Sequence, residues 1–188
     1  MPSALSTAAP PANADLAARI RTIDDYPKPG IQFRDVSTLL LDGPAFRSTI
    51  DRLADFVDID EVDLIAGIEA RGFIVAAALS YVLGKGKLML RKPGKLPGES
   101  VGIDYALEYG TDRIEMHVGA MIPGQRVLVV DDLIATGGTA LAAVQLLREA
   151  GAVVERALFI VDLPALQGAD RLRGAGVKPD ALCAFAGE

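Results

Sequence analysis

This chain of 188 residues is short of several things that chemistry often relies on. Its only cysteine is Cys183, so no disulfide can close within it and no cysteine cluster can hold a metal. Its only histidine is His117, which excludes any mechanism that needs two. Basic residues are outnumbered, with 19 Lys+Arg against 25 Asp+Glu, and the net charge of −6 argues against a polymeric nucleic acid as partner. The longest strongly apolar uncharged stretch, residues 72–84, is 13 residues long. A bilayer span needs about 20, so no membrane role is expected. Residues 1–14 are uncharged and rich in Ala, Pro and Ser, without the basic start and apolar run of a signal peptide. They are expected to form a disordered tail, and the chain to be cytoplasmic. Neither a G-x-x-x-x-G-K-[ST] nor a G-x-G-x-x-G pattern occurs, which removes support for nucleoside triphosphate and dinucleotide sites.

What is present suffices for one domain over residues 15–188. Hydrophobic residues make up 51% of the chain, enough for one ordinary core. Leu16, Ile20 and Ile23 follow the i, i+4, i+7 spacing of an amphipathic helix, ended by Tyr26-Pro27-Lys28-Pro29-Gly30. Phe46, Ile50, Leu53 and Val57 mark a second helix. Residues 62–66 predict a strand, 73–83 an apolar helix and 87–90 another strand. Residues 92–102, with Pro93, Gly94, Pro97, Gly98 and Gly102, predict a long loop. Ile114, Met116 and Val118 alternate with charged or polar neighbours, as in a half-exposed strand paired with residues 105–109 across a Gly110-Thr111-Asp112 turn. Residues 127–130 form a continuous apolar run, expected of a strand buried on both faces of a parallel sheet. A helix to about Ala150, a strand over 153–161 and a last one over 181–185 complete an α/β fold with a central, mainly parallel sheet flanked by helices.

In such sheets ligands bind outside the carboxyl ends of the strands. The clearest strand end is Asp131-Asp132-Leu133-Ile134-Ala135-Thr136-Gly137-Gly138-Thr139. A buried strand delivers two carboxylates to the sheet edge, and a loop of small residues then enters a helix. The N–H groups there and the Thr136 and Thr139 hydroxyls form an anion cradle, while the acids suit a hydroxyl-bearing or cationic neighbour. A phosphorylated sugar combines an anionic end with a diol. The plainer alternative is a helix cap and a turn. A second strand end, Gly67-Ile68-Glu69-Ala70-Arg71-Gly72, offers Arg71 as a forked donor, or merely a surface arginine on a tight turn. A third feature breaks the acidic balance: Lys85, Lys87, Arg91, Lys92 and Lys95 form a basic stretch without an acid, a local anion site or a solvated loop.

The segment 127–139 resembles the phosphoribosyl-pyrophosphate signature of type I phosphoribosyltransferases. Together with Pro29-Gly30-Ile31-Gln32-Phe33-Arg34-Asp35, Arg91-Lys92-Pro93-Gly94-Lys95-Leu96-Pro97-Gly98-Glu99 and Tyr105-Ala106-Leu107-Glu108-Tyr109-Gly110, it resembles the adenine-specific branch of that family over residues 26–159. The resemblance implies the type I fold with a small hood, drawn from about residues 26–40 and the C-terminal region, and a flexible catalytic loop. It implies transfer of phosphoribose from phosphoribosyl pyrophosphate to adenine, giving AMP and pyrophosphate in purine salvage. By the same resemblance Ala135, Thr136, Gly137, Gly138 and Thr139 hold the 5′-phosphate, and Asp131 and Asp132 hold the ribose hydroxyls. Phe33 and Leu133 sandwich adenine, and backbone near Gln32 reads its edge. Arg34, Arg71, Arg91 and Lys95 contact pyrophosphate or the base, and Glu108 is the acid/base group. Lys92 is left undecided. Mg²⁺ is expected to arrive on phosphoribosyl pyrophosphate, because the sequence offers no protein cage for it, and a homodimer is expected. Gln32 stands where the family usually has an apolar residue, and the chain after Ala165 matches weakly and is assigned no role. Two rivals remain open: a non-catalytic ligand sensor on the same fold, and an enzyme for hypoxanthine or xanthine.

Overall fold

A computed structural model describes residues 12–107 and 110–187. The chain opens with a single helical turn, α1 (Ala14–Ala17), and an antiparallel hairpin of β1 (Arg21–Asp24) and β2 (Gln32–Asp35). Two helices follow, α2 (Ser37–Leu41) and α3 (Gly43–Ala54), the latter capped by Asp42, whose carboxylate accepts from the Ala45 N–H. β3 (Leu64–Ile68), α4 (Gly72–Leu83) and β4 (Gly86–Leu90) form a βαβ unit. A long antiparallel hairpin, β5 (Ser100–Leu107) and β6 (Gly110–His117), interrupts the alternation. Then come β7 (Val127–Ile134), α5 (Gly138–Glu149), β8 (Arg156–Asp162), α6 (Gly168–Gly174) and β9 (Lys178–Ala184).

The five strands β4-β3-β7-β8-β9 lie in that order, all parallel. The apolar run at the start of β7 is buried on both faces because successive side chains alternate. Leu128 and Val130 join Ile65, Leu158 and Ile160 against α1 to α4, through Leu16, Leu39, Leu53 and Leu79. Val127 and Val129 join Ala66 and Phe159 against α5 and α6, through Val144, Leu147 and Leu172. From β3 the chain turns outward through α4 to β4; from β7 it turns the other way through α5 to β8. The crevice between the carboxyl ends of β3 and β7 is therefore the point where the winding reverses, the place at which open α/β sheets bind ligands.

Several expected elements differ from those observed. Ile23 lies in β1 rather than in a helix with Leu16 and Ile20: pairing with Phe33 of β2 takes its backbone, and the helix stops after one turn. Residues 100–102 belong to β5 rather than to the loop, since Ser100, Val101 and Gly102 pair with His117, Met116 and Glu115. Gly110, Thr111 and Asp112 are not a turn, because they pair with Leu107, Ala106 and Tyr105. Most of the expected tail lies outside the described residues. Asn13, at its end, donates to the Leu182 carbonyl at 2.8 Å and accepts from Arg52 at 2.7 Å.

Candidate active site

The crevice holds a cavity of about 250 Å³, lined among others by Glu69, Arg71, Lys92, Asp132, Leu133 and Thr139. Its floor is the end of β7, where the strand's alternation directs Asp131 and Asp132 differently. Asp132 is buried and accepts from the Arg71 Nε at 2.5 Å. Asp131 also lines the cavity, and its Oδ1 accepts from the Asp132 N–H at 2.9 Å. Burial, and then the neighbouring Asp132 carboxylate, push the Asp131 carboxyl well above the usual range. Burial works against the charge on Arg71, but Asp132 outweighs it and the guanidinium pKa is raised. Gly72 permits this packing: a Cβ there would stand 2.6 Å from the Asp131 Oδ1.

The turn after β3 contributes the second wall. Glu69 accepts from the Arg91 Nε at 3.1 Å and from the Lys92 N–H at 2.8 Å, which ties the basic stretch to the turn. Burial alone would raise the Glu69 pKa, yet Arg91 and the Lys92 N–H bring it below the ordinary value. Arg91 also donates to the Lys95 carbonyl at 2.8 Å, and the exposed Lys95 ammonium is near enough to help hold the Glu69 carboxyl below its ordinary pKa. Lys92 bonds to the Tyr105 hydroxyl at 2.9 Å and pairs closely with Asp112. The Tyr105 hydroxyl in turn lies 3.3 Å from the Thr139 Oγ1, so the β5–β6 hairpin is fastened over the start of α5.

The third wall is Thr139, in the first turn of α5; Ala135, Thr136, Gly137 and Gly138 lead into it from β7 without lining the cavity. Gly137 precedes α5 with φ +78°, a left-handed conformation that glycine adopts without steric cost. Thr139 lines the cavity.

The sequence-predicted residues distribute unequally around this crevice. Arg71, Asp131, Asp132, Leu133 and Thr139 line it together, and Phe33 approaches through Arg71, whose guanidinium carbon lies 5.8 Å from the ring centre. Arg34 faces elsewhere. Being next to Phe33 on a strand, it points to the opposite side. There it donates to Thr22 at 2.5 Å, to Gln32 at 2.7 Å and to the Ala186 carbonyl at 3.3 Å, and stands 4.7 Å over the Phe185 ring. Gln32 spends its amide on Arg34 and on Asp24. Glu108 lies outside the described residues. Glu69, Tyr105 and Asp112 were not singled out from sequence. The signal available for Glu69 was its place beside Arg71 just past a buried strand, and for Tyr105 its place in the motif 105–110; Asp112 gave none, since it becomes a partner of Lys92 only through the hairpin register. Among the described residues no group of three or more His, Cys, Asp or Glu is placed to hold a metal ion.

Residues 37–174 match the phosphoribosyl transferase domain family. An adenine phosphoribosyltransferase of Erythrobacter litoralis is 56% identical over 173 residues, covering 92% of this chain and 97% of that protein. The crystal structure of the adenine phosphoribosyltransferase of Thermoanaerobacter pseudethanolicus superposes with a TM-score of 0.86 at 44% identity, covering 91% of this chain and 98% of that one. The Saccharomyces cerevisiae enzyme, solved with an imino-altritol bisphosphate and adenine, gives a TM-score of 0.82 at 33% identity, covering 90% and 97%. The chain belongs to the phosphoribosyltransferases and, within them, to the adenine phosphoribosyltransferase family.

Proposed function

We propose that this protein joins adenine to phosphoribosyl pyrophosphate, releasing pyrophosphate and forming AMP for purine salvage. The observation that carries the reading is the crevice between β3 and β7, where an acid pair, Arg71 and Thr139 at the start of α5 meet in one cavity. The loop 135–139 takes the 5′-phosphate on its N–H groups. Asp131 and Asp132 take the ribose hydroxyls, and Asp131, whose carboxyl pKa is raised by burial and by its carboxylate neighbour, can donate as well as accept when it holds its proton. Arg71, Arg91, Lys92 and Lys95 surround the position of the leaving pyrophosphate, and Arg34 stands further out. Phe33 and Leu133 hold the base, with Gln32 at its edge.

Breaking the C1′–O bond early leaves positive charge on the ribose and negative charge on the leaving group. Fixed cations aimed at the leaving group favour that state more than the bound substrate. Phosphoribosyl pyrophosphate would bring Mg²⁺ with it, an ion that prefers phosphate and water to a protein cage and would supply further positive charge for the leaving group. Glu108 takes the adenine proton. The β5–β6 hairpin covers the crevice and excludes water, which would otherwise consume the cationic intermediate. The whole of residues 15–188 works as one domain. A cytoplasmic setting suits the single buried thiol, Cys183.

A homodimer is part of this proposal. α4 is apolar around its whole circumference: Val75, Ala76 and Leu79 are buried, while Ile74, Tyr81 and Val82 are 47%, 89% and 51% exposed. Such a helix calls for cover on its outer face, and a second copy supplies it.

Pyrophosphate release from phosphoribosyl pyrophosphate and Mg²⁺, measured with adenine, hypoxanthine or xanthine, tests the function. Release with adenine alone is expected. Release with none of the three would leave a non-catalytic sensor, and release with another purine would reassign the base.

A further inference from the structure

The segment after β8, which the sequence left without a role, meets the back of the chain where β7 passes into the phosphate loop. Three successive carbonyls accept hydrogen bonds from it. The Ile134 carbonyl accepts from the Leu163 N–H at 3.0 Å, the Ala135 carbonyl from the Gly168 N–H at 3.0 Å, and the Thr136 carbonyl from the Arg171 Nη1 at 2.7 Å. A trans peptide points its N–H opposite to its carbonyl. Tying down these three carbonyls therefore turns the N–H groups of Ala135, Thr136 and Gly137 away from the segment, toward the crevice. The backbones also touch. A Cβ on Gly168 would stand 2.2 Å from the Ala135 oxygen and 2.8 Å from the Gly137 nitrogen, and one on Gly137 would stand 2.9 Å from the Gly168 oxygen.

We infer that Gly168 and Arg171 are positioning residues for the substrate's 5′-phosphate, acting by fixing the orientation of the loop's N–H donors from behind. The inference rests on the proposed function only in assigning the loop to that phosphate. Neither residue need touch the ligand. Gly168 acts by lacking a side chain, Arg171 by holding a carbonyl that would otherwise be free to rotate. Preorganised donors bind an anion without the cost of ordering them, so loosening the back of the loop weakens phosphate-bearing ligands in particular.

The test compares Arg171→Ala, Arg171→Lys and Gly168→Ala with the parent protein. Calorimetry measures ribose 5-phosphate and AMP, and steady-state assays measure KM for each substrate. Arg171→Ala is expected to weaken ribose 5-phosphate and AMP by about tenfold and to raise KM for phosphoribosyl pyrophosphate similarly, with KM for adenine unchanged. Arg171→Lys, which can donate to the same carbonyl, should recover most of the loss. Gly168→Ala changes no charge and should weaken the same ligands by more, which separates loop geometry from a through-space effect of the Arg171 charge. Should Gly168→Ala fail to fold, the exposed Arg171 still decides. Unchanged ribose 5-phosphate affinity in Arg171→Ala would overturn the inference, as would equal losses for adenine and for phosphate-bearing ligands. A parent protein that binds ribose 5-phosphate but makes no AMP would refute the catalytic reading and leave the loop measurement intact.

Discussion

Asp131 joins a functional demand to a stability cost. Its carboxyl pKa is raised, so the folded state holds the proton more tightly than the unfolded chain does. The stability carried by the protonated form is full below the ordinary aspartate value of 3.8 and is lost as pH rises through the raised value. Asp131→Asn removes that loss while retaining an oxygen for the Asp132 N–H. The variant should equal the parent in stability at low pH and exceed it near neutrality, by denaturant melts, while turnover falls by about tenfold to a hundredfold. Asp35 shows the reverse. Its hydrogen bonds to Ser37 and then to Arg21 bring its pKa down to about 2. Its contribution is present above 3.8 and disappears as pH falls toward 2, so Asp35→Asn should cost about 1–2 kcal/mol at pH 7 and little at pH 2. For Phe33→Ala a rise of about tenfold in KM for adenine is expected, from loss of a stacking face. At this scale the sequence marked Arg71, Asp131, Asp132 and Thr139, because chemistry that needs adjacent carboxylates and small loop residues leaves a compact local pattern. It could not show which face of β2 Arg34 would take, nor that Asp112 would meet Lys92, since strand register settles both.

At the scale of elements, the β5–β6 hairpin is joined to the rest in two ways: Ile114 and Met116 are buried in the core against α5, and at its far end Lys92 reaches Asp112 and Tyr105, and Tyr105 reaches Thr139. Asp112→Asn should accelerate hydrogen exchange across the β5 and β6 amides while β7 and β8 stay protected; an unchanged hairpin would mean that its own ladder suffices. Elements with a strong intrinsic period were legible from sequence. α3, α5 and the apolar start of β7 fall close to where patterning put them, because their buried stripes repeat. Ile23 misled because three residues can satisfy a helical spacing by chance while a strand partner, Phe33, claims the backbone. α6 was missed because seven residues between Gly168 and Gly174 are too few for a period. The glycine at 110 suggested a turn, although its φ of +103° is accommodated at the start of β6.

For the molecule as a whole, the net charge of −6 belongs to the surface at large, while at the crevice cations and carboxylates stand in pairs, Arg71 with Asp132, Arg91 with Glu69 and Lys92 with Asp112. The exposed outer stripe of α4 makes the assembly testable. Sedimentation should give a mass of about twice 19.7 kDa, and Tyr81→Glu should shift the protein toward the monomer at micromolar concentration. A parent that sediments as a monomer would remove the homodimer from the proposal.

The ion pair between Arg71 and Asp132 joins positions 61 residues apart, through strands that pair directly while β4 to β6 lie between them in the chain. Closing so long a loop in parallel register is an intrinsically slow event. The crevice is thus assembled from two halves that the ribosome delivers well apart, and it comes into being only when β7 docks beside β3. During refolding, the return of AMP binding should lag the recovery of helical signal and so act as a clock for the joining of the two halves of the sheet.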